Sequence, residues 1–294
     1  MDRGVGRGNR SRISSARGAG VDRGGFEPHI DVAPDRKASR LQLTARDRDL
    51  LAFAAEHRFV LADQVRLLLG VTPEATDARL RALARAGLLE RRTVFHRQPA
   101  LNRITAAGVT AIGGDLKPPR LELHAYAHDV GVAWLWLAAH RGAFGPMQSI
   151  VAERRLRSLD ARAEPGELPR AARLGCLGPR GQERLHYPDL LLTTVEGRRV
   201  AVELELTGKG RSRTERILGA YAADPRIDAV IYLVPDRRIG RTVAEAARRH
   251  GLSRRAHVQL VRVGGQPPRI EAGDTRCSLL AVEAAGARGS AAGR

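Results

Sequence analysis

Cysteine is almost missing from this 294-residue chain. Only Cys176 and Cys277 occur, far apart and without the spacing of metal ligands. That excludes a disulfide framework and a zinc finger, and it suits a reducing compartment. Long apolar runs are missing too. The longest, at residues 130–139, is too short to cross a bilayer. The first residues carry no hydrophobic core of a secretory signal. The expectation is a soluble, cytoplasmic protein without a membrane partner. Acids are scarce relative to bases: 32 Asp and Glu face 50 Lys and Arg, a formal net charge of +18. Such an excess favours a polyanionic partner, nucleic acid ahead of membrane. Arg far outnumbers Lys, which a high-GC genome also produces, so composition leaves both sources of the charge open.

The chain is long enough for two modest domains. Residues 1–40 are rich in Gly, Arg and Ser and nearly free of apolar periodicity. They bury too little surface to offset ordering entropy, so a disordered basic tail is expected there. From Leu43 the pattern changes. LTARDRDLLAFAAEHR has Thr44 as N-cap and then Leu50, Leu51, Phe53, Ala54 and His57 near helical spacing. LADQVRLLLG predicts a short helix closed by Gly70. A third helix starts with Thr72 as N-cap and Pro73 at its first position. LLERRTVFHR and ALNRIT then read as a hairpin, and TAAGVTAIGG as a last short helix.

Three helices followed by a hairpin is the order of a winged helix-turn-helix, here over residues 41–115. In that fold the third helix enters the major groove and the wing flanks the backbone. Arg79, Arg81 and Arg85 are then expected to face DNA, with Arg91, Arg92, His96, Arg97 and Arg103 making the wing basic. The alternative is an ordinary solvated helix, in a module that binds protein. Asp77 and Glu74 near the start of the third helix weigh against tight base readout.

Lys117-Pro118-Pro119 breaks the chain, and a second domain is expected over residues 120–264. Residues 121–140 predict a helix that is apolar on most sides, so it is expected to be buried against a sheet. His124 and His128 lie four apart with Asp129 adjacent, a spacing that suits either a metal pair or the edge of a core. Residues 147–156 read as a strand carrying Glu153. Residues 157–185 are Pro-, Gly- and Arg-rich with little pattern and are expected to form a flexible surface insertion. TERILGAYAADPRI predicts a helix, DAVIYLVPD a buried strand, IGRTVAEAARRHG a helix and AHVQLVRV a strand. Residues 265–294 are expected to be a second disordered tail.

Between the insertion and these elements lies HYPDLLLTTVEGRRVAVELELTGKGRSR. It reads as two strands joined by a Glu196-Gly197 turn. Side chains alternate along a strand, so Val200, Val202, Leu204 and Leu206 share one face and Ala201, Glu203, Glu205 and Thr207 the other. A hairpin brings Asp189 beside the two glutamates, and Lys209 and Arg211 follow at once. Three carboxylates on one patch repel unless a cation, a base or water intervenes.

The resulting order, α-β-β-β-α-β-α-β, resembles the restriction-endonuclease-like, or PD-(D/E)XK, fold. Pro188-Asp189 matches the first half of its motif and Glu203-Leu204-Glu205 the second, with Glu205 where the lysine usually stands. In that superfamily the lysine migrates, so Lys209 is the candidate replacement, and Glu153 the candidate upstream acid. The resemblance implies Mg²⁺ bound by Asp189 and Glu203, a hard ion that prefers carboxylate oxygens and activates water at a phosphate. The catalytic set it implies is Asp189, Glu203, Glu205 and Lys209. The whole span 43–263, through "AERRLR", "YPDLLL" and "AVELELTGKGRSRTERIL", also resembles the replication-relaxation family, a two-domain α/β class with an N-terminal winged helix. That resemblance implies DNA work in plasmid or mobile-element replication and mobilisation. The partners it implies are DNA, a relaxase or plasmid replication protein, and a second copy of the chain. Against cleavage, V-E-L-E-L is also what any half-exposed strand looks like, and Glu205 adds charge where a phosphate is already anionic. Binding without cutting, metal-dependent cutting and transcriptional regulation all remain open from the sequence.

Overall fold

The computed structural model describes residues 41–262 and the backbone of 269–270, all within one compact unit of the chain. The two expected tails lie outside the described residues. The first elements are helices α1 (Ala45–Glu56), α2 (Ala62–Leu69) and α3 (Pro73–Arg85), then strands β1 (Leu89–Arg92) and β2 (Leu101–Ile104), then α4 (Ala106–Ala111). Their starts are set locally. Thr44 accepts from the Asp47 N–H, and Asp47 accepts from the Thr44 N–H at 2.7 Å, a reciprocal capping box. Thr72 and Thr105 cap α3 and α4 in the same way. Gly70 closes α2 in a left-handed conformation (φ 64°) that other residues adopt at a cost. Leu50, Leu51, Val65, Leu80 and Leu83 are fully buried together, and each such side chain contributes roughly 2 kcal/mol of transfer free energy. Val60 bridges to Asn102 of β2 through two backbone hydrogen bonds of 2.9 Å, which ties the hairpin to the helices.

After a 3-10 turn (Leu123–Ala125), α5 runs Tyr126–His140, followed by β3 (Met147–Ala152) and α6 (Glu153–Asp160). A hairpin of β4 (Ala172–Leu177) and β5 (Glu183–His186) precedes β6 (Leu190–Thr194) and β7 (Arg199–Leu204). Then come α7 (Arg211–Ala223), β8 (Ala229–Val234), α8 (Arg237–Arg249), β9 (Ala256–Arg262) and β10 (Arg269–Ile270). The main sheet is mixed, in the order β10-β9-β8-β7-β6-β3. β3, β6 and β7 are antiparallel neighbours; β7, β8 and β9 run parallel. The period of two sorts the strands between two helical layers. Val200, Val202 and Leu204 pack with α5, while Ala201, Val230, Tyr232 and Val234 pack with α7 and α8.

α5 explains its own composition. Val130, Ala133, Trp134 and Leu137 enter the core of α1–α4, whereas Val132, Leu135 and Ala139 enter the core of the sheet. A helix buried on two sides needs two apolar stripes. Arg154 adds a polar tie, donating to the carbonyls of Ala55, His57 and Lys117 from the start of α6.

Three expectations need correction. The strand at 147–156 ends at Ala152, and Glu153 opens a helix instead, because the chain turns there to cover β6 with Leu156. Residues 157–185 are not patternless: the β4–β5 hairpin buries Ala171 and Ala172 against α7. The helix expected from residue 121 begins at Tyr126.

Candidate functional site

The β6–β7 register sets Leu190 opposite Val202. Continued by one residue, it sets Asp189 opposite Glu203. Glu203 in turn lies opposite Tyr232 of β8. Glu203 and Tyr232 lie on the face that α7 and α8 cover, while Asp189, just before β6, reaches towards α5 at the end of the same row. The Leu204 N–H donates to Asp189 Oδ2 at 2.7 Å, so the aspartate is fastened to the strand that carries Glu203. Just past the strand, the Glu205 N–H donates to the Leu233 carbonyl at 2.9 Å. The structure thus brings Asp189, Glu203, Glu205 and Lys209 together, and all three acids are buried, Glu203 with 1% of its surface exposed.

Each carboxylate has its own base. His128 Nε2 of α5 lies 3.2 Å from Asp189 Oδ2. His186 Nε2 lies 2.7 Å from Glu203 Oε1, to which the Tyr221 hydroxyl also donates. Lys209 Nζ lies 2.7 Å from Glu205. Burial pushes the Glu203 carboxyl up, but His186, Lys209 and Tyr221 together hold it below the ordinary range. Burial dominates at Glu205 and leaves it raised despite Lys209. Burial lowers His128, yet Asp129 and Asp189 outweigh it and lift the imidazole to about 10. Tyr232 Oη, buried among these charges, has no hydrogen-bond partner among the described residues.

The Mg²⁺ implied by the fold resemblance can be tested against this donor set. Asp189 Oδ2 already accepts from the Leu204 N–H and Glu203 Oε1 from the Tyr221 hydroxyl, and each also meets a histidine nitrogen. Glu153 lines a small cavity with Asp189 but its carboxylate is held by Arg157 at 2.6 Å. Among the described residues no group of three His, Cys, Asp or Glu side chains is arranged to hold a metal ion. As folded, each carboxylate gives an oxygen to a neighbouring base and no three of these ligands are grouped, so the set does not fit Mg²⁺. The His124–His128 pair is not formed either. His124 is exposed in the 3-10 turn, 3.8 Å from Glu122, while His128 points to Asp189.

The expected DNA-facing arginines divide into two groups. Arg79 donates both its Nε and a terminal nitrogen to Asp47, Arg91 is 2.6 Å from Asp77, and Arg103 is bound to Glu90. These three are structural cations, because acids on neighbouring elements claim them. Arg81, Arg85, Arg92 and Arg97 are exposed, as is His96; among the described residues, Arg81 alone of the four arginines has an acid partner, Asp77 at 2.8 Å. Arg97 stands at the hairpin tip with a positive φ of 59°. Sequence reasoning missed His186, Tyr221 and Tyr232 as members of the acid cluster. The parallel β7–β8 register puts Tyr232 opposite Glu203, and nothing in the local sequence marks that pairing or the reach of Tyr221.

Comparisons with protein-family models, with curated proteins and with solved structures give no match to this chain.

Proposed function

We propose that this chain is a DNA-binding protein of the replication-relaxation type. In this reading α1–α3 with the β1–β2 hairpin are a winged helix-turn-helix that seats on duplex DNA. The mixed-sheet half is a restriction-endonuclease-like domain that holds the DNA backbone without cutting it. The observation that carries the reading is the surviving set of exposed arginines. After Asp47, Asp77 and Glu90 have taken their partners, Arg85 on α3 and Arg92 and Arg97 on the hairpin still face solvent. A recognition helix and a wing need cations at those places. The net charge of +18 gives the non-specific attraction that such a protein needs for its first encounter. The ion-paired acid cluster supports binding over cleavage, since each carboxylate is already engaged. The cellular setting is plasmid or mobile-element replication in the cytoplasm, with a relaxase or replication protein as partner.

The test is anisotropy titration of a labelled duplex over a range of salt. Arg85→Ala with Arg92→Ala is expected to weaken binding and to lower the salt slope by about 0.9 for each phosphate contact removed. Unchanged affinity and slope would overturn the assignment of this surface. Metal-dependent nicking is the second reading, favoured by Asp189 standing opposite Glu203 with Lys209 nearby. Supercoiled plasmid with Mg²⁺ or Mn²⁺ decides it. No nicking is expected. Nicking that disappears in Asp189→Asn with Glu203→Gln would establish the nuclease.

A further inference from the structure

Beside the acid cluster, between the starts of α7 and α8, lies a pocket of about 190 Å³. Lys209, Thr214, Arg238 and Thr242 line it together with Glu205 and Gly208. We propose that this pocket holds a phosphate of a nucleic-acid backbone, with the Lys209 ammonium, the Arg238 guanidinium and the Thr214 hydroxyl as donors. The inference rests on the DNA-binding reading and deepens it, since it names the group that the sheet half would grip.

Three observations converge. The first is Thr214. It is 5% exposed, it lines the pocket, and its hydroxyl makes no hydrogen bond with any described residue. That hydroxyl is left free to donate to a ligand oxygen in the pocket. The second is the start of α7. Its N-cap is Gly210, with no side-chain cap and no acid in the first turn. Cations stand there instead: Lys209 precedes it, and Arg211 and Arg213 occupy its first turn, Arg211 paired with Glu215 at 3.2 Å. Positive side chains at the positive end of a helix oppose the macrodipole, and a bound anion reverses the sign of that interaction. The third is the charge count of the lining. Glu205 is the one acid, and Lys209 covers it at 2.7 Å, whereas Arg238 is exposed and has no acid partner among the described residues. The pocket therefore carries a net positive charge. Thr242 already donates to the Arg238 carbonyl at 3.2 Å, so its hydroxyl offers a ligand oxygen little. A Cβ built on Gly210 meets nothing within 4 Å, which leaves the backbone open to close approach.

The same donors suit free phosphate or a mononucleotide, and the experiment separates those sources from a polynucleotide. The full chain is titrated with inorganic phosphate by calorimetry and with a labelled duplex by anisotropy. The variants are Thr214→Val, which keeps the side-chain volume, Thr214→Ser, which restores the hydroxyl, and Arg238→Ala at an exposed position. Circular dichroism melts check that each folds. Wild type is expected to bind phosphate, and Thr214→Val and Arg238→Ala each to weaken it by about tenfold, the scale of one charge-assisted hydrogen bond. Duplex binding is expected to weaken in both, with Arg238→Ala alone losing about one phosphate contact from its salt slope, and Thr214→Ser to recover wild-type behaviour. Folded variants that bind phosphate and duplex as wild type does would overturn the pocket. Loss of phosphate binding with duplex affinity unchanged in both variants, and the slope unchanged in Arg238→Ala, would overturn the backbone assignment in favour of a free anion. If duplex binding falls only in Arg85→Ala with Arg92→Ala, the DNA-binding reading stands and the pocket inference fails.

Discussion

Arg79 sits on α3, where sequence logic aims it at DNA, yet its guanidinium is spent on Asp47 of α1. Replacing it by Ala therefore tests whether the structure or the helical wheel is right. Asp47 exposes 2% of its surface and accepts from the Thr44 N–H and hydroxyl at 2.7 and 2.6 Å as well as from Arg79. Removing one partner of a deeply buried pair costs about 3–5 kcal/mol, and of an exposed pair at most about 1 kcal/mol. This carboxylate is covered but lies close to the surface, at the first turn of a helix, and Thr44 continues to hold it. The Arg79→Ala penalty is placed between those limits, at about 2 kcal/mol. For a folded unit of this size that is a fall of roughly 4–8 °C in melting temperature.

Urea unfolding at pH 7 reads the stability, and duplex anisotropy reads binding by the folded protein. The double variant Asp47→Asn with Arg79→Ala is expected to be less damaged than the sum of the two singles, because the uncompensated charge has gone. The penalty also has a pH signature. Burial raises the Asp47 carboxyl, but Arg79 and Thr44 bring it below its ordinary value. A carboxyl depressed in the folded state contributes stability above its unfolded value of about 4 and loses it as pH falls through the folded value. The gap between wild type and Arg79→Ala is therefore expected to narrow below about pH 4. A variant within about 0.5 kcal/mol of wild type that binds DNA at least tenfold more weakly would refute the reasoning and return Arg79 to the DNA face.

His57 is buried against Phe53 and Trp136, and burial followed by Arg154 depresses its imidazole to about 3. A depressed histidine contributes stability above its unfolded value of about 6.5 and loses it as pH falls from there towards the folded value. His57→Phe is expected to flatten the acid branch of the pH–stability curve, and an unaltered branch would count against it. In Gly108→Ala, the new Cβ would lie inside contact distance of the Leu88 carbonyl and 2.8 Å from Ile104. A destabilisation of about 1–3 kcal/mol is expected from chemical denaturation, and a neutral result would mean that α4 shifts freely.

Much of the fold was legible because it is written locally. Thr44, Thr72 and Gly70 act as caps where their chemistry says they must. The alternation on β7 sorted Val200 and Val202 from Ala201 and Glu203, and the hairpin reading brought Asp189 beside Glu203 and Glu205. The β4–β5 hairpin was not legible, because its short, Arg-broken strands bury mainly the small residues Ala171 and Ala172 and carry no strong period.

What the sequence determined by itself is the order of helices and strands outside residues 153–186, the caps of the first helices, the two faces of the β6–β7 hairpin and the excess of positive charge. These follow from periods of 3.6 and 2 and from hydrogen bonds that span a few residues. Only the tertiary structure decided who neutralises whom. Arg79 reaches Asp47 across 32 positions and His128 reaches Asp189 across 61. A charge at the surface and a charge in an ion pair look alike in a sequence. They are separated by which elements pack together, and that is fixed by burial of apolar surface, here along the two stripes of α5, and not by the charges themselves.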